Sequence, residues 1–69
     1  MKFNYEIGDL VYWSSQTKIN PHLLIGLALF IQRNSTSNIF HYYCIYDSNN
    51  IRTNKINTGS PQIWRKFNV

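Results

Sequence analysis

The sequence predicts an all-β domain built from five short strands arranged as a small barrel or sandwich. Three observations carry this. Leu23–Ile31 runs for nine residues without a polar side chain, and Ile39–Tyr46 is almost wholly β-branched or aromatic. Strand-like runs also recur at short intervals between turn-forming residues, the pattern of small barrels and sandwiches. The 69 residues suffice for one domain, 1–69, with no internal repeat or linker. A chain this short buries only roughly 60% of its unfolded surface, so its core is small.

The first strand is expected over 9–14. Gly8–Asp9 is a turn signal, and Leu10–Trp13 is rich in strand formers. Alternation puts Val11 and Trp13 on one face, Leu10 and Tyr12 on the other. Ser14–His22 is polar and ends in Asn20–Pro21, so it reads as a loop with His22 exposed on it. The second strand is expected over 23–32. A helix competes here, because Asn20 would cap it, Pro21 would suit its first turn, and Leu and Ala favour it. Against the helix, Gly26 sits mid-run, Ile25 and Ile31 are β-branched, and no side of the run is polar. A surface helix needs a polar face, whereas a strand covered on both sides needs none. Gly26 and Ala28 then share a face that an aromatic ring or another backbone approaches closely.

Gln32–Asn38 is a polar connector of seven residues and reads as a hairpin loop. The third strand, 39–46, is the clearest of the five, with faces Ile39/His41/Tyr43/Ile45 and Phe40/Tyr42/Cys44/Tyr46. Asp47–Asn50 reads as a tight turn. The fourth strand, 51–56, alternates Ile51, Thr53 and Lys55 against Arg52, Asn54 and Ile56, polar enough for an edge. Asn57–Pro61 breaks it, and a helical or 3₁₀ turn follows near Ser60–Ile63. The last strand, 64–69, is expected to turn Phe67 and Val69 inward.

The net charge of +4 is unevenly placed. Residues 1–50 balance Lys2, Lys18 and Arg33 against Glu6, Asp9 and Asp47, while 51–69 carry Arg52, Lys55, Arg65 and Lys66 with no acid. Such an asymmetry suits a nucleic-acid contact or an acidic partner, or simply supplies solubility. The single cysteine, Cys44, excludes an internal disulfide, and a buried lone thiol fits a reducing compartment. Cys44, His22 and His41 lack metal-ligand spacing, and no cofactor fingerprint or P-loop is present, so neither metal nor cofactor is expected. On a strand, His41 and Cys44 face opposite sides and cannot act as a nucleophile pair. The opening residues lack the apolar core of a signal peptide, and Leu23–Ile31 is too short to span a bilayer. The expectation is a cytoplasmic or virion protein that is not an enzyme. Nine Asn and nine Ile, with many Lys, Tyr and Phe, are residues of AT-rich codons.

Three segments resemble the SH3-like small barrels. Ile7–Gly8–Asp9–Leu10–Val11 is similar to their common opening, hydrophobic–Gly–Asp–x–Val, and Ile25–Gly26–Leu27–Ala28 to their second strand. Cys44–Ile45–Tyr46–Asp47–Ser48 resembles a third strand entering its Asp-rich hairpin, although Cys44 replaces the usual Val and no Gly follows Asp47. The likeness spans about residues 7–69, and in length and pattern the chain resembles small proteins of tailed phages. It implies a five-stranded SH3-like barrel with a 3₁₀ turn before the last strand. Such barrels bind proteins, nucleic acid or modified peptides, and the motifs themselves carry no ligand residue.

The aromatic residues outnumber what so small a core can hold. Tyr12, Trp13, Tyr42, Tyr43 and Trp64 are therefore the candidates for a protein interface with a host or virion partner. The alternative is a nucleic-acid-binding barrel using Arg52, Lys55, Arg65 and Lys66 on phosphates. A homo-oligomer also fits, since the second strand is apolar on both faces.

Overall fold

The computed structural model describes residues 3–49 and 53–68. Leu23–Ile31 is a strand, not a helix. It lies within β2 (His22–Arg33), preceded by β1 (Leu10–Ser15) and followed by β3 (Asn38–Asp47) and β4 (Lys55–Gly59). A 3₁₀ turn over Pro61–Ile63 leads to β5 (Arg65–Lys66). The five strands form one antiparallel sheet in the order β4-β3-β2-β1-β5. Among the described residues no ladder joins β4 to β5, so the sheet is open.

The two faces differ sharply in cover. Val11, Ala28, Phe40, Tyr42 and Cys44 lie on the inner face, where Tyr5, Trp64 and Pro61 close over them. The cover comes from both ends of the chain. The Tyr5 hydroxyl donates to the Pro61 carbonyl at 2.6 Å, clamping the N-terminal segment to the 3₁₀ turn. Rings bridge the two: Tyr5 lies 5.3 Å from Phe40, which lies 5.3 Å from Trp64, and Tyr42 and Trp64 are 4.4 Å apart. The N-terminal segment enters through a turn at residues 6–9. There Gly8 takes φ 95°, Asp9 N–H donates to the Glu6 carbonyl, and Glu6 N–H donates to Asp9 Oδ2.

Gly26 is required by this packing. A Cβ built there would lie 2.8 Å from Tyr42 Cδ2 and 3.0 Å from the Tyr43 carbonyl oxygen, closer than such atoms approach. The expected close approach of a ring to this face is therefore met by Tyr42.

Two bulges change which residues face inward. Between Ala28 and Phe30 the β2–β3 register shifts, leaving Leu29 as an extra residue. Beyond it Phe30 turns outward and Ile31 packs against the core. A second shift between Ile25 and Gly26 sets both Ile45 and Tyr46 against Ile25. Tyr46, expected on the same face as Cys44, is exposed, and Asp47 is buried instead. A one-residue slip of this kind inverts every following side chain.

Other boundaries depart from expectation for identifiable reasons. The early loop contracts to residues 16–21, and His22, expected to be exposed, opens β2 opposite Ser15. Its Nε2 donates to Asp47 Oδ1 at 2.7 Å, and its ring meets Trp13 edge-on at 5.3 Å. The fourth strand runs over 55–59 rather than 51–56. Pairing Tyr43 with Ile56 and Phe40 with Gly59 extends the strand through Asn57 and Gly59, poor strand formers, because packing outweighs propensity at this edge. Arg52 and Ile51 lie outside the described residues. Of the tight turn expected at 47–50, Asn50 lies outside the described residues; Asp47 Oδ1 accepts from Asn49 N–H, and Asn54, just before β4, takes φ 59°. β5 is only two residues long, although Phe67 N–H also donates to the Leu10 carbonyl. That bond sets Phe67 beside Tyr12, edge-on at 6.0 Å, rather than inward; Val69 lies outside the described residues.

Gly26→Ala should destabilise the fold by about 1–3 kcal/mol, the usual range for overpacking, as read by urea denaturation. Gly59→Ala is the control, since a Cβ there meets nothing closer than 3.4 Å. A second prediction concerns alkaline pH. Burial pushes the Tyr5 hydroxyl up from its ordinary 10.0 to about 12. The folded state holds that proton more tightly, so the contribution of Tyr5 is intact below pH 10 and is lost as the pH rises through about 12. Tyr5→Phe should flatten the fall in stability across that interval.

Candidate functional site

The side of the sheet opposite the core is apolar and largely open. Strand pairing lines up its side chains in rows. One row crosses four strands as Leu10, Leu27, Tyr43 and Ile56. The next contains Tyr12 and Ile25, flanked by Arg65 on β5 and by Ile45 and Tyr46 on β3. Beyond the β2 bulge, Phe30 stacks on His41 with ring centres 4.2 Å apart, and His41 Nε2 donates to Gln32 Oε1. Tyr43 is 36% exposed, Ile45 46%, Tyr46 47%, Phe30 50% and Ile56 65%.

The five aromatic candidates divide between the two faces. Tyr43 is exposed on the outer face and Tyr12 is half-buried on it. Trp13 is half-buried and packs against the core. Tyr42 and Trp64 are 5% and 2% exposed, so they build the core and offer no surface. Sequence reasoning did not include Ile45, Tyr46 or Ile56 among the candidates for this surface. Alternation alone placed Phe30 with Ala28 and Tyr46 with Cys44, and only the bulges bring them out.

The basic candidates do not converge. Val11 pairs with Lys66 and Gly26, Gly26 with Cys44, and Cys44 with Lys55, so the two lysines stand at opposite ends of a row crossing the whole sheet. Lys66 Nζ lies 3.9 Å from Asp9 Oδ2. Arg65 projects from the outer side beside Tyr12 and donates to the Gln62 and Trp64 carbonyls. Arg52 lies outside the described residues.

Polar chemistry gathers at the end of the sheet where β2 begins. Asp47 is 7% exposed and accepts from both His22 and Asn49, while Leu23 N–H donates to Ser48 Oγ. Cys44 is fully buried; burial, and next the nearby Asp47 charge, push its thiol pKa up, so it is held as a neutral thiol at neutral pH. His41 lies across the sheet from Cys44, on the outer face with Phe30. An open cleft of about 650 Å³ lies between the 34–37 loop and the β4–3₁₀ junction, with Arg33 as its one charged lining residue.

Adjacent aromatic residues on the two faces should respond oppositely to truncation. Tyr42→Ala and Trp64→Ala should each cost about 3–5 kcal/mol, much of the stability of a domain this size. At a protein concentration low enough to exclude self-association, Tyr43→Ala and Ile56→Ala should stay within about 0.5 kcal/mol of the parent chain by urea denaturation.

No known family model matches this chain, and neither a curated protein nor a solved structure matches it.

Proposed function

We propose that this chain is an SH3-like small barrel that acts by binding protein through the outer face of its sheet, not by catalysis. The single observation behind this reading is the exposed row Leu10–Leu27–Tyr43–Ile56 together with Phe30, Ile45 and Tyr46. Aliphatic and aromatic side chains side by side on a rigid sheet offer large buried area at low entropic cost. The SH3-like assignment draws support from a four-strand meander followed by a 3₁₀ turn and a last strand returned to β1. Composition and the three matching segments support an origin among tailed-phage accessory or virion proteins.

Protein is favoured over nucleic acid by the character of the face. A single-strand platform combines stacking rings with a basic groove. Here aliphatic Leu10, Leu27, Ile45 and Ile56 interrupt the rings, and Lys55 and Lys66 stand at opposite ends of their row. Affinity purification from the source cells, followed by mass spectrometry and run with and without nuclease, is the test. Capture should survive nuclease and be lost with the Tyr43→Ala/Ile56→Ala double variant. Recovery that depends on nucleic acid, or that ignores the double variant, would contradict this reading.

A further inference from the structure

Resting on that reading, we infer that the outer face is covered by a second copy of this chain, giving a two-fold dimer in which two sheets pack face to face.

Area is the first argument. A stable interface buries about 800 Å² on each partner. β2 has twelve residues at about 3.3 Å each, so it runs the 35 Å length of the molecule, whose other dimensions are 22 and 21 Å. Burial of that order therefore engages most of this face rather than a corner of it. A second sheet supplies a match of the same shape and extent, as in sandwiches with sheets about 10 Å apart.

Charge is the second. Every described acid lies away from the outer rows: Asp47 is buried with His22, Asp9 sits near Lys66, and Glu6 is in the turn before β1. Two such faces can meet without stranding a carboxylate, and Arg65 stands at the β5 edge, where it keeps contact with water. Among the described residues of the strands, an acidic partner would find one basic side chain on this face, Arg65, to answer it.

The third argument is the balance of apolar groups. Among the described residues, seven hydrophobic side chains are buried, while six large ones, Leu10, Phe30, Tyr43, Ile45, Tyr46 and Ile56, are exposed on the strands of this sheet. Small domains with too little core commonly complete it by association.

Each copy carries +4, so the charges repel while the faces attract. The dimer should tighten from about 0.01 M to about 1 M salt, as the screening length falls from about 30 Å to 3 Å. Contacts with an acidic protein or with nucleic acid weaken over the same range.

Sedimentation equilibrium of the full chain tests this. At about 0.1 mM, where a micromolar dimer is almost fully formed, the mass should be twice the monomer's 8.2 kDa. Tyr43→Lys/Ile56→Lys should raise the dissociation constant at least about thirtyfold with an unchanged circular dichroism spectrum. Ile19→Lys, a change at a loop residue 97% exposed, should leave the dimer intact. A monomeric parent chain, a dimer indifferent to the double substitution, or one that loosens with salt would each overturn the inference. A monomer that still captures a different protein through Tyr43 would overturn the second copy as occupant and leave the binding reading standing.

Discussion

The contact between the Tyr42 ring and the bare backbone of Gly26 is the constraint on which the rest of the structure depends. A Cβ at position 26 would lie 2.8 Å from that ring. Because the space is empty, Tyr42 lies close to β2 and meets Trp64 at 4.4 Å and Phe40 at 5.5 Å. Trp64 follows the 3₁₀ turn and Pro61 lies within it. Tyr5 reaches Phe40 by ring contact and the Pro61 carbonyl by a hydrogen bond. A few rings thus tie the centre of the sheet to both ends of the chain. A domain of 69 residues with no disulfide among its resources needs such economy, since its stability rests on a short list of side chains.

That arrangement leaves the sheet with two unlike sides. Ring packing and both chain ends seal the inner side. The outer side receives the leftover apolar residues: Leu10 and Leu27 by simple alternation, Phe30 and Tyr46 by the bulges. Bulges commonly re-aim side chains near functional surfaces. Here they enlarge one continuous apolar face at the cost of regular pairing. The same slip that exposes Tyr46 buries Asp47, which is then held by His22 and the Asn49 N–H. The exposure of Tyr46 and the buried hydrogen bond between Asp47 and His22 therefore share one structural cause.

Much of the architecture was legible from residue patterns. The all-β class, the identity of β1, β2 and β3, the 3₁₀ turn after β4 and the edge position of β4 follow from alternation, β-branching and turn residues. Gly26 was readable as a site of close approach because a glycine inside a strand usually marks one. Which residues stay on the outer face was less legible. Tyr42 and Tyr43 are neighbours of identical type, yet one is 5% and the other 36% exposed. Composition treats them alike, and only the side on which the core forms separates them.

The sequence by itself determined that this chain is a small strand-rich domain with more aromatic and aliphatic surface than its interior can absorb. Local chemistry is enough for that, because strand propensity and composition are properties of short segments. Only the tertiary structure decided which residues remain outside. Bulge positions depend on the pairing of β2 with β3, and the β4 register depends on packing beneath Trp64; both arise from contacts between distant parts of the chain. Those contacts moved Trp64 and Tyr42 into the core, turned Phe30 and Tyr46 to the surface, and drew His22 to Asp47.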